Sequence, residues 1–449
     1  MKTLQTTAAF LLSLFVLRSV SYATNGDILT GDGPISLSLG GVGVAAPQDA
    51  ITAIAANPAA LSLRTGVQAP VVADSASGKD AKADTPPEAP DYGVETNFGA
   101  NIFLPFIKGE TNGVSAGAHA TVYPIPEIAV AIPLTKDRAW YFGLAAYGSS
   151  GLGVDYRGTA LDNSKYFNFG PGGVAPLGAG IYTNYENLKF VPAVSYRISP
   201  QWSIGLGLQI DYSTLDLGQG TTSAFSVGVQ PGIVYRPIQN LTFGASYTTP
   251  QPATFKRVDD FTGNGTLNDL KLESPQEVIF GGAYEAFDHR LLLEADGKWI
   301  NWGGADGYKD FGWKDEWVAA VGAQFAIIPE KLFVRAGYDF GNNPVKSNNG
   351  FNGAFGPTGP QSYNQVQGIS IPTYYYEAFR VIGYPAVVED HLSFGVGYAF
   401  NKHFTVNLAY SHAFSHSVTE NGTNPFGQPT TIGSKLSEDS VDIGLTWRF

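Results

Sequence analysis

The sequence has no cysteine and little charge. The lack of cysteine excludes disulfides, thiol nucleophiles and cysteine metal sites, and with them the lipidated N-terminal cysteine of a bacterial lipoprotein. Charged residues make up 15% of the 449 positions, whereas a soluble domain carries about 25%. The net charge is −12 and no basic block is present, which argues against nucleic acid as a partner.

The sequence also lacks an apolar run as long as a membrane-spanning helix, which needs about 20 residues. The apolar run at 8–17 is shorter, follows Lys2 and precedes Ser21-Tyr22-Ala23. This layout predicts a secretory signal peptide over residues 1–23, cleaved after Ala23. If the mature chain lies in a membrane, it must do so as a closed β-barrel.

Alternation with a period of two is abundant, and it predicts β-strands with one apolar face. The C-terminus shows it clearly, since apolar Val441, Ile443, Leu445, Trp447 and Phe449 alternate with Asp442, Gly444, Thr446 and Arg448. We predict an all-β fold, a transmembrane antiparallel barrel over residues 61–449 with fourteen strands. The strands are expected near 62–72, 118–135, 138–156, 184–199, 202–218, 225–238, 241–259, 270–287, 290–304, 315–328, 331–345, 388–401, 403–418 and 437–449.

Short and long linkers alternate between these strands, which is typical of outer-membrane barrels with short periplasmic turns and long outer loops. Tight turns are expected at 136–137, 200–201, 239–240, 288–289, 329–330 and 401–402. Longer gaps fall at 157–183, 219–224, 260–269, 305–314, 346–387 and 419–436. The Pro-, Ala- and Asp-rich stretch near 74–90 predicts a disordered outer loop, with 91–107 as an extra hairpin strand inside it. A soluble sandwich or propeller is the rival fold.

Residues 24–60 do not alternate and are rich in glycine. Asp49 is placed to cap a short helix that runs to Ala56, and Asn57-Pro58 ends it. A phosphate-binding loop is excluded, because no Gly-Lys-Ser/Thr follows the glycines. Because a fourteen-stranded barrel is too wide for side chains alone to fill, we predict that this segment plugs the lumen.

One run in this segment is distinctive: Asn25-Gly26-Asp27, Gly31, Gly33, Gly40-Gly41-Val42-Gly43-Val44-Ala45, Gln48-Asp49-Ala50 and Asn57-Pro58-Ala59-Ala60-Leu61. It resembles the hatch of the FadL/TodX family of outer-membrane transporters of long-chain fatty acids and hydrocarbons. The resemblance implies a fourteen-stranded barrel closed by a hatch with an Asn-Pro-Ala motif, here Asn57, Pro58 and Ala59. It also implies a kinked third strand that opens the barrel wall, here at Gly148, Gly151 and Gly153.

On this hypothesis, outer loops capture a hydrophobic small molecule, which passes the plugged lumen and leaves sideways at the third strand. Loop aromatic residues are candidates for capture, with loop packing as their alternative role: Phe351, Phe355, Tyr374, Tyr375, Tyr376 and Phe379, together with Tyr166, Phe167, Phe169 and Tyr182. Candidate ligand-binding residues for a carboxylate are Lys298, Arg335, Lys256 and Arg257. We expect Lys298 and Arg335 on the lumen face, paired across strands with Glu294, Asp296 and Asp339.

The remaining expectations concern location and partners. We predict a monomer in the outer membrane of a Gram-negative bacterium, in contact with membrane lipids and lipopolysaccharide. The final residue, Phe449, resembles the signal for the outer-membrane assembly machinery. We predict no catalytic residue, metal site or cofactor. A general diffusion porin and, less favoured, an adhesin or phage receptor remain alternatives, and the residues do not decide between a fatty acid and a hydrocarbon.

Overall fold

The computed structural model describes residues 24–64, 93–119, 122–162, 181–262 and 264–449. Within these residues, fourteen long antiparallel strands pair in sequence order, and the last strand pairs with the first. The sheet is therefore closed, and the predicted strand number is confirmed. No helix in this part of the chain has the length and apolarity needed to cross a membrane. The predicted signal peptide and the expected loop near 74–90 lie outside the described residues.

We number the barrel strands in chain order, with the following bounds: β1 Glu95–Thr111, β2 Tyr123–Pro133, β3 Trp140–Asp155, β4 Tyr182–Arg197, β5 Trp202–Asp216, β6 Thr222–Ile238, β7 Leu241–Thr248, β8 Glu277–Ala286, β9 Leu291–Ile300, β10 Glu316–Ile328, β11 Leu332–Gly341, β12 Asp390–Ala399, β13 Phe404–Thr423 and β14 Pro429–Arg448.

The two faces of the wall follow the predicted alternation. In β5 the outward Ile204, Leu206 and Leu208 are each more than one third exposed, whereas the inward Ser203 and Gln209 are buried. The same holds in β14, where Ile443 is exposed and Asp442 is buried. An apolar outer face and a small or polar inner face are the pattern of a barrel surrounded by lipid.

The first barrel strand differs from the prediction. Of the predicted strand 62–72, Ser62 ends a 3₁₀-helix, Pro58–Ser62, and residues 65–72 lie outside the described part of the chain. Instead, β1 at Glu95–Thr111 closes the barrel and pairs with β14 over its whole length. We expected part of this stretch to be an extra hairpin strand inside a loop. It forms the closing strand because both of its edges find ladder partners, in β14 and β2.

Two predicted strands, 241–259 and 270–287, are each divided in two. Strand β7 ends near Pro250 and strand β8 begins near Pro275, because a proline has no N–H to donate to a strand ladder. The residues between them, Gln251–Asp259 and Asn268–Ser274, form a separate two-stranded sheet. Phe255 and Phe261 of this hairpin are buried. The loop predicted at 419–436 is shorter than expected, because β13 and β14 continue to pair up to Thr423 and Pro429.

All six predicted tight turns connect neighbouring barrel strands at one end of the barrel. We call this the turn end, and both termini of the barrel lie there, since the Phe449 N–H donates to Val94 O (2.9 Å). The opposite end, the loop end, carries the longer connections. Its short strands are Val114–Gly117, Phe351–Asn352, Phe355–Gly356, Gly359–Pro360, Tyr363–Val366 and Ile369–Pro372.

The helices are few and short. Helix α1 is Pro34–Ser38 and helix α2 is Ala50–Ala56. The Asp49 side chain accepts from Thr52 N and Asn57 ends the helix, which confirms the predicted caps. Helix α3, Thr373–Ala378, lies in the long loop before β12 and runs into a π-helical turn, Phe379–Gly383. The N-terminal segment, residues 24–64, also contains two-residue strands at Thr24–Asn25 and Ile28–Leu29.

A charge on the outer face tests this arrangement in lipid. We expect Leu208→Lys, in the middle of the β5 outer face, to lower the free energy of unfolding by about 2–4 kcal/mol. The control is Ile238→Lys, an equally outward position at the turn end, where the loss should be about 0–1 kcal/mol. Urea unfolding in lipid vesicles measures both values, and equal losses would contradict the assigned outer face.

Candidate functional site

Inward-facing glycines make room for the N-terminal segment. In the described barrel, a Cβ atom added at any of eight of them, on eight different strands, would lie within 3 Å of residues 34–61. They are Gly143, Gly205, Gly232, Gly244, Gly322, Gly337, Gly395 and Gly444. The close approach at Gly205 is to the backbone of Pro58 and Ala59, which a side chain would displace. The segment therefore approaches the barrel wall closely on eight of its fourteen strands.

Two neighbouring carboxylates of β9 hold the middle of this segment. Asp296 Oδ2 accepts from the N–H groups of Gly43 (2.9 Å) and Val44 (3.1 Å). Glu294 Oε1 accepts from the next two, Ala45 (2.9 Å) and Ala46 (3.1 Å). Four successive N–H groups of an irregular, buried chain are thereby satisfied. Left without partners, each would cost about 1–3 kcal/mol.

The wall also caps helix α2. Glu95 Oε1 of β1 accepts from Ala50 N (2.7 Å), and Asn97 Oδ1 accepts from Ile51 N (3.1 Å). Glu95 is held in turn by Arg64 (3.0 Å) and Arg448 (2.8 Å). The first N–H groups of a helix have no partner within it, so polar residues of the closing strand complete this helix. The sequence analysis missed Glu95 and Asn97, since it did not place β1 in the wall.

The Asn57-Pro58-Ala59 motif lies against strands β4 to β6. Asn57 is fully buried, and its Nδ2 donates to Val44 O (2.8 Å) and to Ile233 O (3.0 Å) of β6. Its Oδ1 accepts from Ala59 N (3.2 Å). Ser195 and Ser203 hydroxyls donate to Ala59 O at 2.9 and 2.8 Å. One side chain thus ties two parts of the N-terminal segment to the wall.

The charged residues predicted on the lumen face are all buried, but they do not pair with one another as we expected. Lys298 Nζ donates to Thr30 O (3.0 Å), and Arg335 donates to Gln324 and, at 3.0 Å, to Asn407. Asp339 Oδ2 lies 2.7 Å from His391 Nδ1. For Lys298, Glu294 and Asp296 the prediction was wrong because backbone groups of the N-terminal segment are their partners. Arg335 and Asp339 instead pair with polar residues of other barrel strands.

A small polar cavity of about 70 Å³ remains between the N-terminal segment and the wall. Lys298 and Lys189 line it together with Asp32 and Glu277. A single water needs about 10–15 Å³ of such space, so the cavity holds a few waters and no larger molecule. Arg335 does not line it. The exposed Lys256 lies on the loop-end hairpin, paired with Asp269 (2.8 Å), next to Arg257. The structure therefore does not bring the four candidate ligand-binding residues together.

The three glycines predicted at a kink of β3 lie where its ladder changes. Strands β2 and β3 pair from Pro133–Tyr141 to Glu127–Tyr147, and in the described residues no further pair joins them. Both strands continue, to Tyr123 and to Asp155. On its other edge β3 stays paired with β4, with one shift of register between Gly148 and Ser150. We call the unjoined part, residues 123–126 and 148–155, the open seam.

The start of the N-terminal segment lies against the open seam. Ser150 pairs with Ile28 as in an antiparallel sheet. Gly151 N donates to Asp27 O (3.0 Å), and Ser150 Oγ donates to Asp27 Oδ1 (2.9 Å). The Tyr308 hydroxyl, from the loop after β9, also donates to the Asp27 carboxylate. Asp27 thus joins the seam, the N-terminal segment and an outer loop.

Aromatic side chains pack together at the loop end. Tyr374, Tyr375, Tyr376 and Phe379 of the long loop are all buried, as is Phe351, and Phe355 is partly buried. They pack in one cluster with residues that the sequence analysis did not single out: Trp302, Tyr308, Trp313, Phe255 and Tyr384. The Arg157 guanidinium lies over the ring of Tyr182, with Cζ 3.9 Å from the ring centroid. Tyr166, Phe167 and Phe169 lie outside the described residues.

Buried charges hold the long loop in place. Arg380, after helix α3, pairs with Glu377 (2.7 Å) and with Glu420 of β13. Glu377 also accepts from Asn348 in the same loop. Burial raises the pKa of Glu377 to about 7. The loop that carries most of the aromatic cluster is therefore tied to the barrel wall.

Several solved structures resemble this chain in fold. No protein-family model and no curated protein matches the chain. The toluene transporter TodX of Pseudomonas putida matches with a TM-score of 0.61 and 18% identity, over 95% of this chain and 100% of that one. The toluene transporter TbuX of Ralstonia pickettii gives 0.60 and 16%, over 94% and 99%. A FadL homologue of Pseudomonas aeruginosa gives 0.62 and 14%, over 94% and 100%.

At these identities the likeness concerns the fold. It extends over nearly the whole of each chain. The predicted resemblance to the FadL/TodX proteins is confirmed at that level.

The carboxylate contacts of β9 lead to a local prediction. We expect the double variant Glu294→Ala/Asp296→Ala to speed amide hydrogen exchange at residues 43–46 by about 10–100-fold, because four N–H groups lose their acceptors. Hydrogen–deuterium exchange with mass spectrometry measures this. Glu330→Ala, in an exposed turn, is the control. Unchanged exchange at 43–46 would show that the carboxylates do not hold the segment.

Proposed function

We propose that this chain is an outer-membrane transporter, not an enzyme, that takes up hydrophobic small molecules such as long-chain fatty acids or hydrocarbons. The observation that carries the proposal is the combination of an N-terminal segment held closely against the barrel wall and an interrupted strand ladder. Residues 34–61 approach glycines on eight strands, while the β2–β3 ladder stops at Glu127–Tyr147. The likeness in fold to toluene transporters supports it.

The occupied lumen argues against a general diffusion porin. A porin needs an aqueous channel through its barrel. Here the cavity beside the N-terminal segment has a volume of about 70 Å³, too small for a fatty acid. We therefore propose that residues 24–60 act as a hatch, with Asn57-Pro58-Ala59 holding it closed. Cargo passes only when the hatch shifts.

Sideways exit follows from the chemistry of the cargo. An apolar molecule gains free energy by leaving water, about 25 cal/mol per Å² of buried apolar surface. A route through the bottom of the barrel would return it to water. We propose that cargo leaves through the open seam, at Gly148, Gly151 and Gly153, into the lipid. Along that route it meets apolar surroundings at both ends.

Capture is proposed at the loop end. Trp302, Tyr308, Tyr376 and Phe379 belong to the largest buried apolar cluster of the described residues, and Tyr308 of this cluster donates to Asp27 beside the seam. The tight packing of the cluster means that cargo enters by displacing aromatic side chains. Tyr308 is well placed to transmit that displacement, because it contacts both the cluster and Asp27.

We also propose roles for the outer hairpin and the C-terminal residue, and an oligomeric state. Lys256 and Arg257 project from an outer hairpin and are suited to the phosphates of lipopolysaccharide. The exposed Phe449 ends the last strand at the turn end, where the assembly machinery would recognise it. Outside the open seam, neighbouring strands of the described barrel are paired in a closed sheet, which leaves little strand edge for oligomer pairing, so we propose a monomer. An adhesin has no specific observation in its favour.

Altering the hatch motif tests the proposal. We expect Asn57→Ala to reduce uptake of the transported hydrophobic compound several-fold, because buried carbonyls of Val44 and Ile233 lose their donor at about 1–3 kcal/mol. Uptake by cells that depend on this protein measures it, and Asn349→Ala, in an exposed loop, is the control. The intact protein should show little ion conductance in planar bilayers. Large, steady conductance with normal uptake in Asn57→Ala would favour the porin.

A second substitution distinguishes the two cargo classes. We propose that Lys298, in the polar cavity, meets the carboxylate of a fatty acid. If fatty acids are the cargo, we expect Lys298→Met to reduce their uptake about tenfold, since one charge-assisted hydrogen bond contributes about 1.5–3 kcal/mol. Uptake of a neutral aromatic hydrocarbon should not change. The control is Lys331→Met, at the turn end. Equal effects on both cargo classes would exclude a charge-specific role.

A further inference from the structure

Beside the open seam, strand β2 is fully paired on one edge and only partly paired on the other. On the side of β1, strand β2 is paired from Ala131 to its first residue, Tyr123. On the side of β3 the ladder ends four residues earlier, at Glu127. Strand β2 is therefore well formed as far as Tyr123. A feature of the β2 edge that faces β3 must therefore end the pairing.

The sequence of this strand, Tyr123-Pro124-Ile125-Pro126, supplies that feature. A strand directs the N–H groups of alternate residues to opposite neighbours. Leu134 N donates to Trp140 O at the start of β3 (2.8 Å), so even-numbered residues of β2 face β3. Both Pro124 and Pro126 have this parity, and proline has no N–H. The β1 ladder uses the odd-numbered residues and loses nothing.

The register identifies the contacts that are missing. Continued by one step from Glu127–Tyr147, it sets Pro126 opposite Gly148, after which the register of β3 shifts. Pro124 and Pro126 are the residues of this part of β2 that face β3, and neither has an N–H to donate. Beyond Gly148, the edge of β3 pairs with the N-terminal segment instead, at Ser150 and Ile28. The segment therefore occupies part of the β3 edge that β2 leaves unpaired.

A single proline in the wall has a smaller effect. Pro192 in β4 interrupts pairing with β5 between Phe190 and Ala193, and the ladder then resumes in the same register. At the seam two prolines alternate up to the first residue of β2, and the next backbone bond to β3 in the described residues comes from His119 N, which donates to Asp155 O (2.8 Å) at the end of β3.

We propose that Pro124 and Pro126 prevent β2 and β3 from pairing along the open seam. The edge of β3 then serves as a docking edge for the removable strand Asp27–Leu29. When that strand departs, the wall is open because β2 cannot replace it. This inference rests on the proposed function for its consequence in transport, but its structural part does not.

The test is Pro124→Val/Pro126→Val, which supplies two N–H donors on a β-forming residue. We expect the new amides at 124 and 126 to exchange slowly, and the 24–30 peptide to exchange about tenfold faster as β2 displaces Asp27–Leu29. Uptake should fall about tenfold. Pro192→Val is the matched control, with uptake and 24–30 exchange unchanged. Pro126→Val alone should give an intermediate result if the double variant does not fold.

The outcomes separate the two proposals. If the double variant folds, and its uptake and 24–30 exchange equal those of the wild type, the proline inference is overturned. If the exchange changes as expected while the wild type itself transports no hydrophobic compound, the seam inference stands and the transporter proposal fails. Slow exchange at 124 and 126 in the double variant, with lost uptake, supports both.

Discussion

Every backbone N–H and C=O inside a bilayer must find a partner within the protein, since lipid offers none. The fourteen strands meet this constraint by closing on themselves, with β14 paired along the whole of β1. The open seam matters because it departs from that rule. Its exposed edge on β3 is satisfied by Asp27 and Ile28 of the N-terminal segment, so the wall and the segment complete each other.

The same constraint applies to the N-terminal segment, which has little regular structure of its own. Its N–H groups are met by side chains of the wall: Glu294, Asp296, Glu95 and Asn97. Inward glycines let its backbone approach the strands closely. The segment also packs against the wall through buried apolar side chains, such as Ile54 and Leu61 against Tyr141. Both polar and apolar contacts therefore hold it in place.

Much of the fold was predictable because a barrel strand has a strong local signature. Alternation identified thirteen of the fourteen strands, and the short polar linkers between them identified the turns at 136–137 and 401–402. Strand β1 was assigned to a loop because the disorder-like composition before it hid where the barrel begins. The site was less predictable. Periodicity placed Lys298 and Arg335 on the inner face, but their partners come from distant parts of the chain.

By itself the sequence determined which residues face lipid and which face the lumen, how many strands the barrel has, and where helix α2 begins and ends. These are local properties, set by a period of two, by proline and by a capping side chain. Only the tertiary structure decided that Glu294 and Asp296 hold the N-terminal backbone, and that Ile28 pairs with β3 where β2 does not. Those contacts join residues far apart in sequence. They depend on the register between strands of a closed sheet, and the sequence of one strand does not specify that register.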